Sequence, residues 1–102
     1  MEELKPKNDL LRTSIRWYLL NVLLRRGAHL LPTGLVRDDV LIEARADMKA
    51  EQGKFTTLGN CDRRLHDLSD ELKPQGWAAD SIGPEGKRVC GRIWLHRVPV
   101  SL

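Results

Sequence analysis

The apolar residues of this chain follow a regular spacing that is clearest just beyond its middle. There they recur at alternating intervals of three and four positions, at Leu58, Cys61, Leu65, Leu68 and Leu72. Only a helix gathers residues at these intervals on one stripe. The hydroxyl of Thr56 or Thr57 can cap the start of such a helix, and the proline and glycine at positions 74 and 76 end it. The pattern predicts a helix over about residues 57 to 73.

An earlier helix is predicted over residues 8 to 26, which contain no proline or glycine. Apolar residues again follow helical spacing, with Leu11, Ile15, Leu19 and Val22 on one side. Gly27 can end this helix in the left-handed conformation. Arg25 and Arg26 lie in the last turn, where the helix dipole favours cations.

Between these two segments the sequence predicts a connector and a further helix. Residues 28 to 34 are apolar and then broken by proline and glycine, which indicates a connector that allows a short edge strand. Asp38 and Asp39 are acids of the kind favoured in a first helical turn. The apolar side of the helix that follows carries Val40, Leu41, Ala44 and Met48. We expect this helix to end between Glu51 and Gly53.

After the third helix the apolar spacing falls to two residues, which is typical of strands. Residues 77 to 82 are extended in character, and the four residues from Gly83 to Gly86 have the composition of a turn. From Lys87 to Val98 the chain alternates, with Val89, Gly91, Ile93 and Leu95 on one face. The two runs predict an antiparallel hairpin with a four-residue tip.

The size and charge of the chain narrow the picture. Its 102 residues, 41% hydrophobic and 30% charged, suit one soluble domain over residues 1–102 with a core over about residues 9–98. The net charge of +3 is unevenly divided: residues 1–32 carry +3, residues 33–82 carry −3 and residues 83–102 carry +3. This distribution suits a basic face that meets a polyanion, and equally a solvated surface of uneven charge.

The composition also bears on where the chain works. The longest apolar stretch, Trp17 to Leu24, is interrupted by Asn21 and is far shorter than the ~20 residues of a membrane span. The first residues lack the pattern of a secretory signal. Two cysteines, Cys61 and Cys90, are too few for a disulfide scaffold and suit a reducing compartment. A cytoplasmic protein without membrane contact is expected.

The order of these elements resembles the winged helix-turn-helix family of DNA-binding proteins. The resemblance rests on RRLHDLSDEL at positions 63–72, which runs through PQGW at positions 74–77 into the hairpin, and on the basic strand KRVCGRIWL at positions 87–95. It implies an α+β fold of three helices followed by a β-hairpin wing, and it allows a short third strand after the first helix. Helix 2 and its exit to Thr56 are longer than in the simplest members, which leaves the angle between helices 2 and 3 open. Small phage and plasmid regulators are similar in size.

A helical wheel identifies the candidate DNA contacts of the third helix. With the leucine stripe inward, Arg63 points almost directly outward, and Asn60 lies beside it. In the major groove Arg63 would bond guanine and Asn60 an adenine edge, and the resemblance places the wing along the phosphates or in the minor groove. The same residues also fit a solvated helix face and a charged hairpin tip that blocks edge pairing. The candidate DNA-binding residues are Thr56, Thr57, Asn60, Arg63, Arg64, Lys87, Arg88 and Arg92.

Catalytic and metal chemistry find little support in the sequence. The cysteines and histidines show no metal-ligand spacing, and no serine or cysteine is marked as a nucleophile. The glycines near position 83 follow a hairpin rather than joining a strand to a helix, so they do not form a phosphate-binding loop. We therefore expect no enzymatic activity, no metal and no cofactor.

The function expected is duplex-DNA binding by a small transcriptional regulator or DNA-binding accessory protein, with a homodimer as one option. The alternative is a protein-binding module that grips a partner protein with its acidic middle, which comprises Asp62 to Glu71 with Asp38, Asp39 and Glu43. Positive charge joining Arg63 to the wing favours DNA, whereas an acidic third helix favours a protein partner.

Overall fold

In a computed structural model, which describes residues 4–100, the chain forms three α-helices and a three-stranded antiparallel sheet. The helices are α1 (Ile15–Arg25), α2 (Arg37–Gln52) and α3 (Leu58–Leu72), and a 3-10 turn, Lys73–Gln75, follows α3. The strands are β1 (Leu35–Val36), β2 (Trp77–Asp80) and β3 (Arg92–Arg97). The predicted α+β class is confirmed, and a short strand does follow the first helix, but it lies at residues 35–36, just beyond the connector of residues 28–34.

The sheet has the order β1-β3-β2, so β3 is its central strand. Leu35 of β1 lies opposite Ile93 of β3, and Ala79 of β2 lies opposite Leu95. Ile93 and Leu95 are buried. The sheet therefore covers one side of the helices with the apolar face of β3.

The helices and β3 enclose one apolar core. The largest side chains buried completely come from α1, α3 and β3: Tyr18, Leu19, Leu20, Leu23, Leu65, Leu68, Leu72 and Ile93. The predicted stripe of α3 is confirmed, since Cys61, Leu65, Leu68 and Leu72 are buried and Leu58 packs against them. The stripe fixes the rotation of α3 and leaves its opposite face exposed.

The first helix begins later than its pattern predicts. Helix α1 starts at Ile15, because the Ser14 hydroxyl caps it by accepting a hydrogen bond from the backbone N–H of Trp17 at 3.2 Å. Lys7 lies upstream in a segment that is neither helix nor strand, held by a hydrogen bond from its N–H to the side chain of Gln75. Leu11, which the pattern places on the buried face, is 71% exposed. The prediction of a helix from residue 8 is wrong because a local cap interrupts a continuing apolar spacing.

The returning strand of the hairpin is also shorter than predicted. Strand β3 begins at Arg92 rather than Lys87, because the chain turns at Val89, whose carbonyl accepts from the N–H of Arg92 at 3.2 Å. Gly91 takes a left-handed φ of 80° at this turn, which glycine adopts without a steric penalty. Ile82 and Arg88 form an isolated bridge. The turn at residues 89–91 therefore interrupts the returning strand, while the Ile82–Arg88 bridge and the hydrogen bond from the N–H of Gly83 to the carbonyl of Lys87 close the tip around Gly83–Gly86.

Within residues 4–100 no helix is both long and apolar enough to cross a membrane.

Candidate nucleic-acid interface

The exposed face of α3 begins at a capped N-terminus. The Thr57 side-chain oxygen accepts a hydrogen bond from the backbone N–H of Asn60 at 3.1 Å, so Thr57 is the cap. The side chains of Thr57 and Asn60 are exposed, while Thr56 is half-buried. Free N–H groups and the helix dipole make this end attractive to an anion.

Arg63 lies on the outward face of α3, as the helical wheel predicts. It is exposed, and it forms no ion pair with any residue between 4 and 100. Every acidic side chain of α3, by contrast, has a basic partner. The pairs are Asp62 with Arg37, Asp67 with Arg64, Asp70 with Lys73, and Glu71 with Arg16. The acidic residues that dominate this helix in the sequence are therefore neutralised by neighbours, and Arg63 is left as its unpaired charge.

Arg37 joins α3 to the base of the wing. Its guanidinium Nε donates to Asp62 Oδ1 at 3.1 Å, and its backbone N–H donates to the carbonyl of Gly91 at 2.8 Å. One residue at the start of α2 thus holds the beginning of α3 and the end of the wing loop at the same time. The contact also removes a free carboxylate from the position next to Arg63.

The wing loop places two further cations in solvent. Lys87 and Arg88 are exposed, and neither forms an ion pair within the described part of the chain. The loop is closed by the N–H of Gly83, which donates to the carbonyl of Lys87 at 3.0 Å, and by the N–H of Gly86, which donates to the carbonyl of Gly83 at 2.9 Å. The tip therefore presents its cations on an ordered turn.

The sheet fixes the wing to α3 and to the loop before β1. The backbone N–H of Ala79 donates to the Ser69 side chain of α3 at 3.2 Å. Trp94 of β3 donates through Nε1 to the carbonyl of Pro32 at 3.1 Å. Its ring fills the space beside Gly34 and Gly83, where an added Cβ would lie 2.6 Å and 3.1 Å from the ring. The root of the wing is therefore tightly packed.

Two of the predicted DNA-binding residues, Arg64 and Arg92, are engaged elsewhere or lie apart from the other candidate residues. Arg64 donates to Asp67 at 3.1 Å, so its charge is shared within α3. Arg92 is half-buried at the start of β3 and borders a groove together with Arg26 and Glu43. The structure does not bring Arg92 to the tip with Lys87.

The structure adds cations that sequence reasoning missed. Arg45 of α2 and Lys54 of the following loop line one shallow pocket with Thr56, directly before α3. Neither has an ion pair among residues 4–100. The spacing of α2 places Arg45 beside the apolar stripe rather than on it, but only the path of the loop brings Lys54 to the same pocket.

Two groups with shifted pKa values lie away from the exposed face of α3. A hydrogen bond from Arg26, followed by one from Arg25, lowers the pKa of Glu43. Burial raises the pKa of the Cys61 thiol. Cys61 is therefore a protonated, apolar member of the core at neutral pH.

Among the residues described, no group of three or more His, Cys, Asp or Glu side chains could hold a metal ion.

Comparisons of the chain with protein families, with curated proteins and with solved structures found no significant match.

Proposed function

We propose that this chain is a winged-helix domain that binds duplex DNA, with α3 in the major groove and the wing along the phosphates. The proposal is supported by three helices followed by two antiparallel strands, with a third strand before α2 completing the sheet. A helix of this kind can enter the major groove if its outer face is free and its N-terminal end leads.

The observation that carries the proposal is the charge of the exposed face of α3. Arg63 is unpaired there, whereas the four acids of the helix, Asp62, Asp67, Asp70 and Glu71, each have a basic partner. An unpaired carboxylate on this face would repel phosphate and would compete for the guanidinium. A neighbouring cation reduces that penalty, and Arg63 remains able to bond the O6 and N7 atoms of a guanine.

The surrounding residues have roles that follow from their positions. Asn60, one turn before Arg63, can pair with an adenine edge. Thr57 and the free N–H groups of the first turn can approach a phosphate. Arg45 and Lys54 flank that end, while Lys87 and Arg88 contribute affinity without sequence information from the wing; contacts of this kind position the protein on the duplex.

A protein partner held by the acidic middle of the chain is the second candidate. It receives less support, because the acids that define this surface are engaged with Arg or Lys, including Glu43 with Arg25 and Arg26. Asp38 and Asp39 form no ion pair with a described residue, but they lie in the first turn of α2, where the helix dipole already favours acids.

The test is a salt titration of binding to duplex DNA. We expect the logarithm of the affinity to fall linearly with the logarithm of the salt concentration. Lys87→Ala combined with Arg88→Ala should weaken binding to every duplex and flatten the slope by up to about 1.8, because each lost phosphate contact removes ~0.9. The matched control is Lys5→Ala with Lys7→Ala, an equal loss of exposed charge without an ion pair among the described residues, in the segment before α1.

Equal slopes for the wing variant and the control would remove the wing from the interface. If the wild-type chain binds no duplex at low salt, the DNA proposal fails, and the acidic surface becomes the better hypothesis.

A further inference from the structure

Helix α2 carries an unpartnered stripe on the side that faces away from the core. Asp39, Ile42, Ala46 and Lys49 follow one another at intervals of three, four and three residues, and all four are exposed. We call these residues the outer stripe. The interval is the same one that gathers the buried leucines of α3, and it is the spacing by which two helices pack along a common seam.

The outer stripe lies between two depressions that combine apolar and charged residues. Ile42 is 47% exposed, and with Ala46 and Val36 it forms an apolar part of a groove of about 620 Å³ between α2, β1 and the end of α1, whose lining also includes four charged side chains. On the other side, Ile42 and Ala46 line a smaller pocket with three cations and Phe55, which is 79% exposed. Exposed apolar residues rimmed by charged ones are typical of a protein interface.

The outer stripe has a negative charge at one end and a positive charge at the other. Asp39 lies at the N-terminal end and Lys49 at the C-terminal end, and neither forms an ion pair inside the region from residue 4 to residue 100. The ammonium of Lys49 lies 5.1 Å from the centroid of the Phe55 ring, so it remains over the apolar surface. Asp38 and Arg45 extend the same order, with acid first and base second.

We propose that a second copy of this chain docks on the outer stripe, with the two α2 helices antiparallel about a two-fold axis. Reversal places Asp39 of each copy opposite the partner copy's Lys49, and Ile42 opposite the partner copy's Ala46. Residues 39 and 49 have the same midpoint along α2 as residues 42 and 46. One alignment of the two helices therefore forms both pairs. An interface of this kind is isologous, since one patch meets itself.

The size of the side chains and the sign of the charges favour this occupant. Ala46 is small, so the larger Ile42 of the other copy can pack against it as the helices approach. A parallel arrangement would bring like charges together, and a partner of uniform charge would be repelled at one end of the stripe. The surface is complementary to its own reversed copy. The exposed face of α3 belongs to a different element, so the two proposed surfaces adjoin only at the pocket that Arg45 and Lys54 line beside Ile42.

The first experiment measures the mass of the purified chain by sedimentation, without DNA, so it is independent of the proposed function. At a concentration of roughly 100 µM, a dimer with a micromolar Kd is almost fully formed. We expect Ile42→Asp to raise the dimer Kd by about tenfold or more, because it places a charge at the centre of the interface. Leu30→Asp is the matched control, since Leu30 is 60% exposed and lies outside the outer stripe. Ala46→Lys, at an exposed helical position, is the second disrupting variant.

The second experiment tests the register by exchanging charges. Asp39→Lys alone and Lys49→Asp alone each create two like-charge contacts in a symmetric dimer, so each should weaken it. The two changes combined in one chain restore opposite charges at both ends, and we expect the wild-type Kd to return. Circular dichroism confirms that each variant is folded. A monomeric wild type, a dimer unaffected by Ile42→Asp and Ala46→Lys, or failure of the combined variant to recover would each overturn the proposal.

Discussion

Helices α2 and α3 follow one another in the chain, and each carries a stripe of residues spaced by three and four. The stripe of α3 faces the core, whereas that of α2 faces solvent. In α3 the three-four stripe faces inward, and its last apolar member, Leu72, is buried completely. In α2 the stripe that contains Ile42 faces outward, beside a separate inward side that contains Val40 and Ala44. One helix therefore has apolar residues on its buried side alone, whereas the other also exposes Ile42 and Ala46 on its outward side.

The two helices also differ in how the charges on their exposed surfaces are paired. The acids of α3 are all paired, which leaves a polar face with one unpaired cation, Arg63. The outer stripe of α2 keeps an unpaired acid and an unpaired base at its two ends, around an apolar centre. A hydrated polyanion suits the first surface, and a protein surface suits the second. Spacing alone does not distinguish a core stripe from an interface.

The largest expected effect is a difference in the free energy of unfolding between substitutions on the inward stripe of α3 and on the outward stripe of α2. Leu68→Ala should lower the free energy of unfolding by about 2–5 kcal/mol, because Leu68 is fully buried and its loss leaves a cavity. Ile42→Ala should change it by less than about 0.5 kcal/mol in the dilute chain. Urea unfolding at low protein concentration measures both. Equal losses would mean that the two stripes are not different in kind.

A smaller loss is expected for a polar substitution on the inward stripe. Cys61→Ser should destabilise the chain by roughly 1–3 kcal/mol, because it places a hydroxyl among leucines without an assured partner. Ala46→Ser on the outward stripe is the matched control, with a cost of at most about 0.5 kcal/mol from helix propensity. Thermal unfolding and metal analysis are the measurements. A stoichiometric metal ion lost with Cys61 would contradict the purely structural role.

The polar face of α3 is tested by DNA affinity rather than by stability. Arg63→Ala should alter the free energy of unfolding by no more than about 0.5 kcal/mol, as is usual for an exposed position. On the preferred duplex it should cost ~1–3 kcal/mol of binding, and distinctly less on random duplex. Lys5→Ala, at an exposed position outside α3 and the outer stripe, should leave that preference unaltered. Equal losses on both duplexes would make Arg63 a phosphate contact, and no loss would remove α3 from the groove.

The smallest effect concerns the ion pairs that hold α2 to α1. The pKa of Glu43 is lowered chiefly by the hydrogen bond from Arg26. Because the folded pKa lies below the unfolded value of about 4.3, the stabilisation is complete above that pH and is lost as the pH falls through the folded pKa. Glu43→Gln should therefore cost a small amount of stability at pH 7, since the paired Arg25 and Arg26 side chains are exposed to solvent, and almost nothing in strong acid. A constant difference across the pH range would contradict the electrostatic origin.

The sequence predicts best the elements whose ends are marked by a capping residue or a terminating glycine. Helix α3 has a regular stripe, a cap at Thr57 and a glycine at position 76, so its bounds follow closely from short-range rules. Helix α1 is mispredicted at its start because the apolar spacing continues past the Ser14 cap. The wing is mispredicted because alternation continues through Gly91, where the backbone turns.

The charge of the candidate site could not be predicted, because it is set by contacts between distant parts of the chain. A sequence wheel shows α3 as acidic in its second half, but Glu71 is neutralised by Arg16 of α1. Asp62 is neutralised by Arg37, which lies 25 residues away in the chain. The outward position of Arg63 follows from the wheel, whereas the pairing that leaves it as the unpaired charge of its helix depends on tertiary packing.

The packing of Trp94 makes the root and the tip of the hairpin differ in how they would accept a new side chain. Its ring fills the space beside Gly34 and Gly83, whereas an added Cβ at Gly86 would meet nothing within 4 Å. A side chain at Gly34 or Gly83 would therefore have to displace the Trp94 ring and the sheet that carries it. A side chain at Gly86 would meet only the strain of a left-handed backbone.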